Sequence, residues 1–187
     1  MDEVELMSEK KLATETKLRR EIRMGDFDPK FKNEISKVPG IKNIKLCFQC
    51  GTCTADCPIA RFSEIYSPRK IMRMTQLGMK DRLLSSESLW LCAACFTCVD
   101  HCPQGVDIAG VVRALRNMAV NEGIIPDVFR ELTNNIVKTG YAYRIPELRL
   151  KKRVEKGLPP LPEANLDDVS KLFNVIGVSK ASRMEKK

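Results

Sequence analysis

All eight cysteines of this 187-residue chain fall in two short windows, Cys47–Cys57 and Cys92–Cys102. Both windows have the spacing C-x2-C-x2-C-x3-C-P, so the second is a repeat of the first. Such clustering needs a chemical cause, since thiols that merely fill a core have no reason to recur at fixed short intervals. The chain must therefore fold around whatever the two sets of thiols bind or pair with.

The spacing is typical of bacterial-type iron–sulfur ligation. Three thiolates separated by two residues each can wrap one turn of backbone around a face of a cubane, and the cysteine before proline binds the other cluster in two-cluster ferredoxins. Residues between the ligands, such as Gly51 and Thr97, are mainly small or hydroxylated, which predicts backbone N–H groups close to the sulfurs. The spacing thus predicts two [4Fe–4S] clusters, one held by Cys47, Cys50, Cys53 and Cys102 and the other by Cys57, Cys92, Cys95 and Cys98.

Zinc and disulfides are the alternatives for clustered cysteines. Zinc sites usually pair two C-x2-C knuckles about a dozen or more residues apart, whereas each window here holds four cysteines. Disulfides need an oxidising compartment, and the acidic amino terminus is unlike a secretory signal. No apolar run approaches the length of a membrane span. We therefore expect a soluble, cytoplasmic protein in which all eight cysteines bind metal.

The net charge of +8 is concentrated at the carboxyl end, where residues 141–187 hold 11 basic and 6 acidic side chains. No nucleic-acid motif accompanies the basic run Arg149–Arg153, so a solvated face or a docking surface is the preferred interpretation. Two oxidised cubanes with their thiolates would carry a charge of about −4, which offsets part of the basic excess. A nucleic-acid-binding module with zinc or a cluster is the alternative, and we expect neither a nucleic-acid nor a membrane partner.

Capping residues and glycines divide the chain into helices. Ser67-Pro68 is an N-cap with proline at the first helical position, and Gly78 follows the last apolar residue of that helix. No segment alternates polar and apolar residues, so the predicted fold class is all-α. Further helices are predicted over residues 3–24 and 86–91, after Asp107, after Pro126 and after Asn165.

The positions of the capping residues, glycines and prolines divide the chain into three predicted parts. Residues 1–40 are an N-terminal helical extension whose approach to the first window is loop-rich. Residues 41–140 are the domain that encloses both clusters. Residues 141–187 are a basic linker with a C-terminal docking helix, and Leu158–Pro162 within them is expected to be extended.

The helical link between the two windows resembles the α-helical ferredoxin domain, in which two helix-and-loop halves enclose two clusters. Within that superfamily, Tyr66–Gly78, Leu89–Cys92 and Cys102–Val106 resemble the C subunit of heterodisulfide reductase. The resemblance covers about residues 40–125. It implies an electron relay from a flavin-containing A-type subunit to a catalytic B-type subunit, which reduces the coenzyme M–coenzyme B heterodisulfide in methanogenesis. A hydrogenase or another electron-donor module is a further partner that the resemblance allows.

The residues themselves predict no catalytic site. The chain has no nucleophile–base pair, Gly-rich nucleotide loop or spare thiolate, so we expect a non-catalytic subunit of an oxidoreductase with no activity alone. A relay subunit of another flavin-linked oxidoreductase and a free two-cluster ferredoxin are the alternatives. Free carriers are usually small and acidic, whereas this chain is basic and has long extensions.

Three other side chains close to the ligands have two interpretations each. His101, the only histidine, could be a ligand or a proton carrier, but four cysteines already complete each cluster, so a surface or outer-shell position is preferred. Trp90 and Phe96 could line an electron path, but core packing beside the clusters is the preferred interpretation.

Overall fold

The computed structural model describes residues 22–41 and 43–177. Within these ranges the chain forms nine α-helices and three short 3-10 helices, and it forms no β-strand. The predicted all-α class is therefore confirmed. No helix in the described ranges has both the length and the apolar character to cross a membrane. The helix predicted over residues 3–24 lies almost entirely outside the described residues.

The chain divides into two compact units, the first ending at Met118 and the second beginning at Ala119. The predicted domain boundaries near residues 40 and 140 stay a prediction. The 3-10 helices are Met24–Asp26, Ile44–Leu46 and Glu87–Leu91. The α-helices that begin in the first unit are α1 (Phe31–Ser36), α2 (Thr52–Ala55), α3 (Pro68–Leu77), α4 (Lys80–Leu84), α5 (Thr97–Asp100) and α6 (Ile108–Asn121). Those of the second unit are α7 (Asp127–Thr139), α8 (Glu147–Glu155) and α9 (Leu166–Val175).

Helices α3 and α6 begin in the same way, as their capping residues predict. The Ser67 hydroxyl accepts a hydrogen bond from the Lys70 N–H at 3.3 Å, and Asp107 Oδ1 accepts one from the Gly110 N–H at 2.7 Å. Both bonds satisfy an N–H that has no partner inside the helix. Each cap follows the cysteine-proline end of its window, so α3 and α6 are equivalent elements of the two cluster-binding halves.

The core of the first unit lies between these helices and the segments that lead into the cysteine windows. Burying each large apolar side chain contributes about 1.5–3 kcal/mol to the stability of the fold. The packing of these side chains fixes how the cysteine windows are oriented. The fully buried side chains include Phe31, Ile35, Ile44, Met72, Leu83, Leu84, Leu89, Val111, Val112 and Leu115.

Two helices in the first unit differ from the sequence prediction. Helix α1 lies in the stretch predicted to be loop-rich, and it forms because Phe31 and Ile35, one turn apart, are both fully buried where α1 contacts α3. The sequence does not predict helix α4, because its five residues are too few to show a periodic pattern. The segment predicted to be helical before the second window is a 3-10 helix, Glu87–Leu91.

In the second unit, α7 and α9 pack against each other. The Asn165 side chain accepts hydrogen bonds from the N–H groups of Asp167 and Asp168 at 3.1 and 3.3 Å, as expected of the predicted cap of α9. The sequence predicts a basic linker where helix α8 lies, because most residues of this segment are charged and it has only three apolar side chains, Leu148, Leu150 and Val154. Helix α8 buries no residue. The docking role predicted for the C-terminal helix stays a prediction.

Candidate iron–sulfur sites

Each cysteine window folds as a tight loop followed by a single helical turn, α2 or α5. Gln49 and Gly51 have φ values of 65° and 94°, and their equivalents Ala94 and Phe96 have 51° and 63°. Left-handed backbone at a residue other than glycine costs about 1–2 kcal/mol, so the loops are held in this shape by what surrounds them. Two left-handed residues in each loop reverse the backbone around the thiols that it carries.

The two windows meet where α2 contacts α5. Asp56 and His101, which occupy equivalent positions before the last cysteine of each window, approach across this contact, with His101 Nδ1 2.8 Å from Asp56 Oδ2. Both side chains are more than a third exposed. His101 therefore occupies the surface position preferred from the sequence, and it links the two halves.

The pKa of the buried Cys53 thiol depends on the thiols around it. Burial raises the pKa of the Cys53 thiol, and the negative charges of Cys47, Cys50 and Cys102 raise it further. Cys102 belongs to the second window, yet its charge acts on the first. These three residues are the ones that the spacing groups with Cys53.

Cys98 has the corresponding surroundings in the second half. Burial raises its pKa to about 12, and the neighbouring charges of Cys92, Cys53, Cys57 and Cys95 act in the same direction. Three of these residues are the partners that the spacing assigns to Cys98. The fourth, Cys53, belongs to the other set, so the two sets of thiols are close enough to interact electrostatically.

Hydrogen-bond donors approach the sulfurs on both sides. Thr52 Oγ1 lies 3.5 Å from Cys50 Sγ, and Thr97 Oγ1 lies 3.5 Å from Cys95 Sγ. Each hydroxyl lowers the pKa of its cysteine, because it donates to the thiolate. Donors to three further sulfurs are Gln49 Nε2 to Cys47 at 3.4 Å, the Ala94 N–H to Cys92 at 3.4 Å and the Val106 N–H to Cys102 at 3.3 Å.

Tyr66 also contributes to the second site, although the cysteine spacing does not point to it. Tyr66 is buried, and the pKa of its hydroxyl is raised by burial first and then by its interaction with Cys92 and the nearby thiolates. Tyr66 immediately precedes the cap Ser67, so the start of α3 positions it. Only the tertiary structure brings this residue to a cysteine of the second window.

The residues that hold the entrance to each window are a second feature that sequence reasoning missed. Gln76 Nε2 donates to the carbonyl oxygens of Ile44 and Cys47 at 3.4 and 2.9 Å. Arg116 donates through Nε to the Leu89 carbonyl at 2.9 Å and through a terminal nitrogen to the Cys92 carbonyl at 2.7 Å.

Gln76 and Arg116 occupy equivalent positions on α3 and α6, nine residues after the caps Ser67 and Asp107, and they bind equivalent carbonyls of the two windows. The side chain that holds these carbonyls is therefore neutral in the first half and cationic in the second. The Arg116 guanidinium also lies 5.7 Å from the centre of the half-buried Trp90 ring.

Phe96 is 44% exposed, so its predicted place in the core is wrong.

The donor set fits two iron–sulfur cubanes. All eight cysteines are free thiols, and each set combines four sulfurs with hydrogen-bond donors directed at them. Among residues 22–41 and 43–177, no three His, Cys, Asp or Glu side chains converge as ligands of a single metal ion. A cubane needs no such convergence, because each thiolate binds a different iron at its own corner.

Comparison with known proteins agrees with this chemistry. Residues 43–106 match the family model described as a 4Fe-4S dicluster domain, and the chain carries two [4Fe–4S] clusters. It is 35% identical to the iron–sulfur C subunit of CoB–CoM heterodisulfide reductase from Methanopyrus kandleri, over 82% of this chain and 86% of that protein. The chain belongs to the C-subunit family of heterodisulfide reductases.

Other members of this C-subunit family differ in the reaction that their names describe. The chain is 37% identical to the C subunit of the H2:CoB–CoM heterodisulfide,ferredoxin reductase from Methanothermobacter thermautotrophicus, over 87% of this chain and 91% of that protein. It is 35% identical to the C subunit of the ferredoxin:CoB–CoM heterodisulfide reductase from Methanosarcina mazei, over 70% of this chain and 79% of that protein. The predicted resemblance is confirmed, and this member of the C-subunit family is an iron–sulfur subunit of a larger oxidoreductase.

Proposed function

We propose that this chain relays electrons inside a heterodisulfide reductase complex, from a flavin-containing A-type subunit to a catalytic B-type subunit that reduces the coenzyme M–coenzyme B heterodisulfide. The names of its relatives support this substrate. The observation that carries the relay is the closeness of the two cysteine windows, since α2 contacts α5 and His101 Nδ1 lies 2.8 Å from Asp56 Oδ2. The effect of the Cys53 charge on Cys98 agrees with this closeness. When bound, each cluster accepts and releases single electrons.

We further propose that the fourth ligands are exchanged between the halves. Cys47, Cys50 and Cys53 would share a cluster with Cys102, while Cys92, Cys95 and Cys98 would share the other with Cys57. The charge of Cys102 at Cys53 and that of Cys57 at Cys98 support this assignment. With every thiol committed to a cluster, the chain retains no thiolate that could attack a disulfide.

The test of the relay is anaerobic reconstitution with a reduced dye as the electron donor. We expect the loaded chain alone to show no turnover of the heterodisulfide, and we expect the A-type and B-type subunits to require it for electron flow from the physiological donor. Turnover by the chain alone would contradict a relay. Undiminished flow through the other subunits without it would place the electron path elsewhere.

The difference between Arg116 and Gln76 predicts that the two clusters differ in reduction potential. A reduced cluster carries one more negative charge, and the Arg116 guanidinium bound to the Cys92 carbonyl stabilises that charge. The variant Arg116→Gln places in the second half the neutral residue that the first half has at Gln76. We expect it to lower the reduction potential of the Cys92 cluster by tens of millivolts. Potentiometric titration followed by EPR measures this shift.

The reciprocal variant Gln76→Arg is the matched control, and it should raise the potential of the Cys47 cluster instead. Each variant should leave the cluster of the other half close to its wild-type potential. Equal shifts in the reduction potentials of both clusters, or no shift, would show that the charge at positions 76 and 116 does not cause the difference in potential.

A further inference from the structure

A groove of about 450 Å³ opens beside Cys47 in the first unit. Its walls come from α1, from the 3-10 helix Ile44–Leu46 and from α3. Gln76, which holds the Cys47 carbonyl, lies on the same wall as Arg73 and Leu77. A molecule seated in this groove therefore reaches one of the proposed cluster ligands directly.

The groove is basic. Lys32, Lys45 and Arg73 line it from three different elements, and none of its eight lining residues is acidic. In the described parts of the chain, no carboxylate pairs with any of the three cations. Three like charges around one depression attract an anionic occupant.

Apolar side chains surround the same ligand. Leu46 and Phe48, the two neighbours of Cys47 in the chain, are 53% and 59% exposed. Leu77 in the groove wall is exposed as well. A small anion such as phosphate would satisfy the cations but leave these three side chains in water. A protein surface would cover both, since interfaces combine an apolar centre with charged groups at the rim.

We infer that this groove docks a carboxylate-rich face of the subunit that exchanges electrons with the Cys47 half of the chain. The inference rests on the proposed relay function, because it presupposes a redox partner. Lys32, Lys45 and Arg73 attract and orient the acidic face, while Leu46 and Phe48 pack against its apolar centre. The partner is thereby held at Cys47, where a short distance for electron exchange is needed.

The test uses the double variant Lys32→Glu/Arg73→Glu in the full-length, cluster-loaded chain, combined with the A-type and B-type subunits. Lys45 stays unchanged because it is two residues from Cys47. The matched control is Arg113→Glu/Lys138→Glu, which makes the same charge change at exposed positions on α6 and α7. At about 0.05 M salt, we expect the groove variant to lower the rate of electron transfer with the partner about 10-fold or more, and the control less than about 2-fold. At about 0.5 M salt the difference should largely disappear.

A groove variant that matches the control at low salt would overturn the docking inference, as would a rate loss that follows a shift in either cluster potential. Tight binding of inorganic phosphate to the wild-type chain, with unchanged transfer rates in the groove variant, would make the groove a small-anion site and also overturn it. In each of these cases the wild-type chain still relays electrons, so the proposed function stands. Failure of the wild-type chain to relay would instead overturn the proposed function itself.

Discussion

Replacing Cys57 by serine should remove the cluster proposed for Cys92, Cys95 and Cys98 and leave the other in place, so that iron falls from about eight to about four atoms per chain. The reason is the position of Cys57, whose charge acts on Cys98 in the other window. Cys102→Ser should have the converse effect on the cluster of Cys47, Cys50 and Cys53. Anaerobic iron and sulfide analysis measures the loss, and EPR identifies which cluster survives.

Asp56→Asn is a suitable control for the Cys57 variant, since it changes the neighbouring residue and removes its charge but no thiol. It should keep about eight iron atoms. If Cys57→Ser instead removed the cluster of its own window, each window would complete its own site. The exchange of fourth ligands between the halves would then be wrong.

Gly78→Ala should destabilise the loaded protein severely. Gly78 ends α3 with φ +79°, and a Cβ there would overlap the Asp28 carbonyl group and come within 2.8 Å of the Asp28 nitrogen. The Asp28 N–H also donates to the Gly78 carbonyl at 2.9 Å, so two backbone segments are locked together. Backbone cannot move aside as a flexible side chain can, and we expect a loss of about 3–5 kcal/mol in the free energy of unfolding.

Gly40→Ala is the matched control for this prediction. Gly40 has a similar φ of +86°, but a Cβ there would meet nothing within 4 Å, so only the left-handed backbone costs about 1 kcal/mol. Thermal scans that follow the visible absorption of the clusters should show a drop of about 10 °C for Gly78→Ala and of about 3 °C for Gly40→Ala. Equal drops would mean that the contact with Asp28 contributes nothing.

The sequence predicts those features of the fold that depend on neighbouring residues. Ser67 and Asp107 cap helices through N–H groups three residues later, so their effect is visible in the sequence itself. The cysteine spacing is equally local, and it implies the cofactor before any fold is known. Helix α1 could not be predicted in this way, because its stability comes from burying Phe31 and Ile35 against α3, which begins beyond the whole first cysteine window.

The surroundings of the clusters depend on contacts that the sequence order hides. Tyr66, Gln76 and Arg116 lie outside both cysteine windows, and each reaches its target cysteine from a distant part of the chain. The repeat itself conceals the relation between Gln76 and Arg116, since the helices do not recur at the same offset as the windows. The first half has a connection five residues longer between Pro58 and Ser67 than the second has between Pro103 and Asp107.

The proposed exchange of fourth ligands between the halves has a consequence for cluster assembly. With Cys57 and Cys102 crossing between the halves as proposed, neither half would complete a cluster alone, so each cluster would form only after the two halves have come together. Two separate copies of one half would have to dimerise to make the same exchange, and their success would depend on concentration. The covalent link between Cys57 and Cys92 removes that dependence, because it makes the meeting of the two halves an intramolecular step. Under the proposed exchange, the formation of both clusters would therefore not depend on the concentration of the chain.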